Sequence, residues 1–177
     1  MNAENMRTLA HSEMAVSASA GFNVGTTGHI LMVDDDRAIR VMSGKVLLRS
    51  GYQVDTAEDG QAGWEALQAN SYDLLITDNN MQRLSGVELV KKLRSAQMTL
   101  PVVLASGTLD TEELNRSPWL QVAASLLKPF TTDQLLEVVK EVLRATSNAR
   151  TSGGVRLPLL TEAWRQVQPF PHWGLNE

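Results

Sequence analysis

Acidic, hydroxyl and amine side chains follow the apolar runs of this sequence. Asp34 and Asp35 come directly after one run and Asp78 comes after another, while Ser106 and Lys128 follow two later runs. If these runs are parallel β-strands, their carboxyl ends meet at one edge of a sheet. Three converging carboxylates repel one another unless a cation lies between them. The pattern therefore predicts a divalent cation site flanked by a hydroxyl and an ammonium group.

Magnesium is the cation that this set of groups favours. Mg²⁺ prefers oxygen ligands and keeps several waters, so carboxylates and a backbone carbonyl leave room for a phosphoryl oxygen. Each signal alone is weak, because an acidic pair after a strand is often a helix cap, and we expect Asp36 to cap the first helix. Lys128-Pro129-Phe130 alone is typical of a turn. The combination at successive strand ends is what indicates a site.

The elements that must position these groups alternate regularly along the chain. Segments with strand-like apolar runs are 29–33, 52–57, 72–77, 101–105 and 122–127. Segments with helical spacing are 39–50, 60–70, 86–96, 111–116 and 132–146, of which the third is expected to be capped by Ser85. Strands that are apolar along their length indicate a sheet covered on both faces. We predict an α/β fold, (βα)5, with a doubly wound, five-stranded parallel sheet.

Composition excludes several functional classes. The 177 residues contain 16 Lys plus Arg against 20 Asp plus Glu, and the net charge of −4 favours neither nucleic acid nor an anionic membrane as a partner. The absence of cysteine excludes disulfides, thiol nucleophiles and cysteine zinc sites. The histidines His11, His29 and His172 are too scattered for a metal site. No run reaches the roughly 20 apolar residues of a membrane span, and no signal peptide is recognisable, so we expect a cytoplasmic protein.

Three regions are predicted from these patterns. Residues 1–28 lack periodicity and are interpreted as a flexible arm, with an upstream gene-start assignment as the alternative. Residues 29–146 form the predicted domain. Residues 147–177 are interpreted as an irregular or partly docked tail, which contains Trp164, Phe170 and Trp173 and is too short for an effector domain.

Over about residues 29–145 the sequence resembles the response-regulator receiver domain of two-component signalling. The stretch from Ile30 to Asp36 resembles the first strand and acidic pair of that family, and Leu74-Leu-Ile-Thr-Asp78 with Asn79-Asn80 resembles its phosphoacceptor strand and loop. Gly86 stands at the loop glycine, Val102-Val-Leu-Ala-Ser106 resembles the strand before the switch hydroxyl, and Lys128-Pro129 resembles the lysine and its cis peptide bond. The resemblance implies a CheY-like, flavodoxin-like fold.

The resemblance also implies roles for the residues at the strand ends. Asp78 would be the nucleophile that takes a phosphoryl group from a histidine kinase or phosphotransfer protein. Mg²⁺ would be bound by Asp35 directly, Asp34 through water, the Asp78 carboxylate and the Asn80 carbonyl. Lys128 would neutralise charge on the phosphoryl oxygens, and Ser106 would bond one of them after transfer. The protein would then be a phosphoacceptor rather than an enzyme, and would switch a face that binds a protein target.

Several positions depart from the pattern of the family. Gln82 replaces the usual proline of the loop after Asp78, and Ser125 replaces the usual switch aromatic. Pro118 falls in the fourth helical region, and we expect the neighbouring Trp119 to be partly buried. Gln82 makes the loop after Asp78 less rigid, whereas Ser125 and Pro118 affect the output surface. All three leave the phosphorylation site intact.

Three functions are compatible with these residues. The leading hypothesis is a single-domain, phosphorylatable receiver, since the chain leaves little room for an output domain. A receiver-like scaffold that signals without phosphorylation is the first alternative. An aspartate-nucleophile phosphohydrolase is less favoured, because Asp34 and Asp36 have its spacing but Ala38 occupies its threonine position. The oligomeric state and the cognate kinase are not predicted.

Overall fold

A computed structural model describes residues 28–107 and 117–151. They form one parallel sheet of five strands in the order β2-β1-β3-β4-β5. The strands are β1 (His29–Val33), β2 (Gln53–Ala57), β3 (Leu74–Asp78), β4 (Val102–Ser106) and β5 (Ala124–Leu127). The described helices are α1 (Arg37–Arg49), α2 (Gly60–Ala69), α3 (Gly86–Ser95) and α4 (Thr132–Thr151), with a 3-10 turn at Pro118–Leu120. The doubly wound α/β prediction is confirmed.

Alternate residues of each central strand face opposite layers of helices. Ile30 and Met32 pack in a core cluster with residues of α1 and α4, whereas Leu31 and Val33 pack with residues of α2 and α3. All four side chains are fully buried. This two-sided burial explains why β1 is apolar along its whole length.

Two predicted helix caps are present. The Asp36 carboxylate accepts hydrogen bonds from the backbone N–H groups of Ala38 and Ile39, at 2.7 and 3.3 Å. Ser85 and Glu88 form a reciprocal capping box at the start of α3. Both caps fix where a helix begins, and therefore fix the loop that leads into it from the preceding strand.

The last helix is longer than predicted. It continues to Thr151 rather than ending at Thr146, so the residues from 147 to 151 are helical and not the start of an irregular tail. The Ser147 hydroxyl donates to the Leu143 carbonyl at 2.9 Å, so this polar side chain is accommodated within the helix. The polar residues that follow Ala145 are typical of a helix end, which is why the sequence predicts one at Thr146.

The expectation of a partly buried Trp119 is wrong. Its side chain is 52% exposed, while the next residue of the same 3-10 turn, Leu120, is 1% exposed. Successive side chains of this turn point in different directions, and the side chain that points into the core is that of Leu120. The predicted helix 111–116 and most of both predicted terminal regions lie outside the described residues. Within the part of the chain that the structure describes, no helix is long and apolar enough to cross a membrane.

Candidate functional site

The carboxyl edge of the sheet brings together the groups predicted to do chemistry. Asp34 directly follows β1, Asp78 and Ser106 are the last residues of β3 and β4, and Lys128 directly follows β5. Backbone hydrogen bonds of 2.8 Å continue the ladder from Asn79 N–H to the Ala105 carbonyl, and from Lys128 N–H to the Ser106 carbonyl. Because these strands are neighbours in the sheet, their last residues line one side of the same depression.

Three carboxylates lie at the centre of this depression. Oxygen atoms of Asp34, Asp35 and Asp78 all lie within 4.8 Å of one another. Asp34 is fully buried, Asp78 is nearly so, and Asp35 is exposed. Octahedral Mg²⁺ holds its oxygen ligands at about 2.0–2.1 Å, so ligand oxygens around it lie at most about 4 Å apart. Small side-chain rotations would bring this oxygen set into that range, and the residues therefore fit the metal.

Lys128 links two of these carboxylates. Its ammonium nitrogen lies 2.8 Å from Oδ2 of Asp34 and 3.1 Å from Oδ1 of Asp78. Burial opposes the charge on Lys128, but the hydrogen bonds and charges of the two carboxylates outweigh it and raise the pKa of the lysine. Three carboxylates and one ammonium group leave two negative charges in excess. A divalent cation would balance them.

Asp34 is held from several directions. Burial raises the pKa of its carboxyl group, and the hydrogen bond and charge of Lys128 oppose that rise. Its Oδ1 accepts a hydrogen bond of 2.9 Å from the backbone N–H of Asp36, and its backbone carbonyl accepts one from the guanidinium of Arg40. The loop between β1 and α1 is thereby fixed beside the carboxylates. Sequence analysis did not identify Arg40.

The loop after Asp78 passes closely over the end of β3. An added Cβ at Gly86 would lie 2.2 Å from the Asp78 carbonyl oxygen, so only glycine fits at this position. The Asn79 side chain accepts a hydrogen bond of 3.3 Å from Val87 N–H, which ties the loop to α3. Asn80 follows in the same loop and is exposed.

Ser106 and Lys128 close the other side of the site. Ser106 is buried at the end of β4, next to the backbone of Lys128. The peptide bond between Lys128 and Pro129 is cis, in agreement with the expectation from the resemblance.

An ion pair between the loop after β3 and the start of α2 has no signal in the sequence. A guanidinium nitrogen of Arg83, in the loop after β3, lies 3.2 Å from Oδ2 of Asp59 at the start of α2. The other oxygen of Asp59 accepts a hydrogen bond of 2.8 Å from Ala62 N–H. An acidic residue before Gly60 is typical of a helix cap, but no pattern along the chain relates Asp59 to a residue 24 positions later.

Known proteins are similar to this chain in sequence and in fold. A family model described as the response regulator receiver domain matches residues 30–140. The transcriptional regulatory protein FixJ of Bradyrhizobium diazoefficiens is 31% identical over 148 residues, which are 80% of this chain and 72% of FixJ. Response regulator MprA of Mycobacterium sp. strain KMS is 36% identical over 120 residues, 67% of this chain and 51% of MprA. The chain thus spans about half the length of MprA.

A solved structure is similar over the same region. Response regulator protein TrrA of Thermotoga maritima, solved in complex with Mg²⁺–BeF, superposes with a TM-score of 0.59 at 30% sequence identity. The match covers 65% of this chain and 98% of that structure. The similarity therefore extends over essentially the whole of the TrrA chain.

Proposed function

The chain belongs to the response regulator receiver domain family, and we propose that Asp78 is its phosphoacceptor, served by Mg²⁺ and by Lys128. The donor in this proposal is a phosphohistidine of a sensor kinase or of a phosphotransfer protein. The observation that supports it most is the position of the Lys128 ammonium group between Asp34 and Asp78. Receiver domains of this family take phosphoryl groups from histidine kinases, and the proposal assigns that activity to particular atoms of this chain.

Asp78 is suited to the role of nucleophile. Its carboxylate stands at the end of a central strand, and its Oδ1 lies 3.1 Å from Lys128. In the transfer, a carboxylate oxygen of Asp78 attacks phosphorus as the bond from phosphorus to the donor imidazole nitrogen breaks. The electron pair of that bond returns to the imidazole, and an acyl phosphate forms on Asp78.

Lys128 would act electrostatically in this step. Its carboxylate neighbours raise its pKa, so it remains an ammonium group at neutral pH. Positioned charge of this kind stabilises a transferring phosphoryl group without having to reorganise during the reaction. Its half-buried side chain also keeps Asp34 paired before a cofactor binds.

The cation would be held by the Asp34, Asp35 and Asp78 carboxylates and the Asn80 carbonyl, with the Asp34 interaction passing through water. When bound, Mg²⁺ supplies positive charge that draws the phosphoryl oxygens and the carboxylate of Asp78 together. Asp34 is buried and therefore rigidly positioned, whereas Asp35 is exposed and can adjust its position when the phosphoryl group binds.

Phosphorylation would then switch a protein-binding face. It adds about −1.5 to −2 charges at Asp78, and in this proposal the Ser106 hydroxyl bonds a phosphoryl oxygen and draws its loop inward. We propose a protein rather than a nucleic acid as the target of the receiver, because the chain has a net charge of −4. The receiver unit in this proposal starts at His29 and includes α4 as far as Thr151.

Intact-mass measurement after incubation with Mg²⁺ and acetyl phosphate tests the proposal. We expect the wild type to gain one phosphoryl group that hydroxylamine removes, and Asp78→Asn to gain none. Full labelling of Asp78→Asn would overturn the assignment of Asp78. Steady turnover of a phosphomonoester would point to the phosphohydrolase, and an unlabelled wild type that binds no Mg²⁺ would favour the phosphorylation-independent scaffold.

A further inference from the structure

The loop between β3 and α3 is held at both of its ends. At its start, the Asn79 carbonyl accepts a hydrogen bond of 3.2 Å from Gly86 N–H, and the Asn79 side chain accepts one from Val87 N–H. At its end, Ser85 forms the capping box of α3. Between these anchors lies Asn80, whose carbonyl is a proposed ligand of the metal. The position of that carbonyl depends on what holds the middle of the loop.

The middle of the loop has an unusual backbone conformation. Arg83 has a φ of 66°, in the left-handed region that a residue with a long side chain rarely adopts. The preceding residue is Gln82, where the family usually has a proline, so no pyrrolidine ring restricts the backbone there. Side-chain contacts therefore hold this part of the loop, and Met81 and Leu84 on either side of it pack against the core cluster of α2 and α3.

The ion pair between Arg83 and Asp59 adds a polar contact between the loop and α2. The Asp59 side chain is 9% exposed, and its Oδ2 lies 3.2 Å from the guanidinium of Arg83. Its Oδ1 is already committed to capping α2 through Ala62 N–H. The backbone of the loop also lies against α2, because an added Cβ at Gly60 would be 2.3 Å from the Leu84 carbonyl oxygen. Arg83 thus ties the loop to a rigid helix start.

We propose that Asp59 and Arg83 are positioning residues which hold the loop so that the Asn80 carbonyl faces the three carboxylates of the metal site. The inference rests on the proposed function, since it takes the Asn80 carbonyl as a ligand. It concerns the affinity of the site for the cation and assigns neither residue a contact with the phosphoryl group.

Neutralising Arg83 distinguishes positioning from simple electrostatics. Loss of a positive charge near an acidic site should strengthen cation binding if charge alone matters. Loss of a positioning contact should weaken it, by up to about fivefold for an ion pair whose arginine side chain is 71% exposed. The two explanations therefore predict opposite signs for Arg83→Gln.

The experiment titrates the metal-free chain with Mn²⁺, followed by electron paramagnetic resonance. We expect Arg83→Gln to bind Mn²⁺ about threefold more weakly than wild type, and Arg83→Lys to recover most of the affinity. Arg49→Gln, which removes an exposed arginine at the end of α1, is the matched control and should bind as wild type does. Circular dichroism confirms that each variant is folded.

A double-mutant cycle tests whether the two residues act as a pair. Asn is itself a good helix cap, so Asp59→Asn retains the start of α2 and removes only the charge. The double variant Asp59→Asn/Arg83→Gln should bind Mn²⁺ no more weakly than the weaker single variant. Backbone amides 80–84 should exchange hydrogen faster in Arg83→Gln than in wild type without any metal present, which is a readout independent of phosphorylation.

The outcomes separate this inference from the function on which it rests. Unchanged or tighter Mn²⁺ binding by Arg83→Gln, with a wild type that binds Mn²⁺ and is phosphorylated, overturns the positioning role alone. Equal amide exchange in the two proteins overturns it as well. A wild type that binds no Mn²⁺ overturns the metal site and the positioning role together.

Discussion

The ammonium group of Lys128 lies 2.8 Å from a carboxylate oxygen of Asp34, a residue 94 positions earlier in the chain. The pair joins the end of β1 to the residue after β5, across the whole carboxyl edge of β3 and β4. Asp34 is fully buried, so its charge depends on this partner in the absence of metal. The relationship makes Lys128 a structural residue as well as a proposed participant in phosphoryl transfer.

Replacing Lys128 by Met should therefore destabilise the metal-free protein. Removing one partner of a buried ion pair costs about 3–5 kcal/mol, and we expect a loss near the lower end because Lys128 retains some solvent contact. Added Mg²⁺ should stabilise the variant more than it stabilises wild type, because the three carboxylates have lost the positive charge that offsets them. Urea unfolding at neutral pH with and without Mg²⁺ measures both effects. Lys45→Met, which removes an exposed lysine of α1, is the control. Equal stability of Lys128→Met and wild type in the absence of Mg²⁺ would contradict the prediction.

A buried hydroxyl in α1 offers a stabilising substitution. The Ser43 side chain is fully buried, and its oxygen has no hydrogen-bond partner among the described residues. An unsatisfied buried polar group costs about 1–3 kcal/mol, and alanine is also the better helix former. We expect Ser43→Ala to raise the free energy of unfolding by about 1–2 kcal/mol.

The matched control for this substitution is Ser95→Ala. The Ser95 hydroxyl is exposed and donates to the Lys91 carbonyl at 2.9 Å, so its removal should change stability by less than about 0.5 kcal/mol. Urea unfolding of both variants gives the comparison. A Ser43→Ala protein less stable than wild type would mean that the hydroxyl has a partner in solution.

Much of the fold and the approximate place of the site follow from the pattern of the sequence. Asp34, Asp78 and Lys128 each end an apolar run, and the parallel sheet brings such ends together whatever their separation along the chain. The cap formed by Asp36 is likewise local, because its partners lie two and three residues away. Local pattern and strand order were sufficient for these features.

The features that sequence analysis missed depend on contacts between separate elements. Arg83 reaches Asp59 because the loop after β3 passes the start of α2, and no periodicity encodes that distance. Trp119 is exposed because Leu120 takes the buried position of a three-residue turn, where two apolar neighbours compete for one site. Hydrophobicity alone cannot decide such a competition.

Arg94 fixes the 3-10 turn that precedes β5, and its loss should loosen that turn. Its half-buried guanidinium donates four hydrogen bonds to backbone carbonyls, of Met98 and Leu100 in the loop before β4 and of Leu120 and Gln121 in the turn. Burial lowers the pKa of the guanidinium. We expect Arg94→Met to lower the free energy of unfolding by about 2 kcal/mol, since bonds from a charged donor are worth about 1.5–3 kcal/mol each but are not additive.

Lysine should not rescue this position. The donors of an ammonium group lie on one nitrogen and cannot reach carbonyls on both segments, whereas the guanidinium fork can. Arg94→Lys should therefore resemble Arg94→Met in urea unfolding, and hydrogen exchange at the Gln121 amide should be faster in both. Arg49→Met provides the control for loss of an arginine. Full stability of Arg94→Lys would show that charge, and not the fork, is what the turn requires.

The two tyrosines of the chain should make its stability fall at high pH. Burial raises the pKa of Tyr52 above its usual value of 10.0. Burial, the hydrogen bond that Tyr72 donates to Asp55 and the charge of that carboxylate raise the pKa of Tyr72 to about 12.

Because these pKa values are higher in the folded than in the unfolded chain, the stability that they represent is complete below pH 10 and is lost as the pH rises toward about 12. Ultraviolet absorbance at pH 10 should therefore show less tyrosinate in the native than in the unfolded protein, and the free energy of unfolding should decline between pH 10 and about 12. Tyr72→Phe should reduce that decline, whereas native absorbance that titrates at pH 10 as fully as that of the unfolded protein would contradict both raised pKa values.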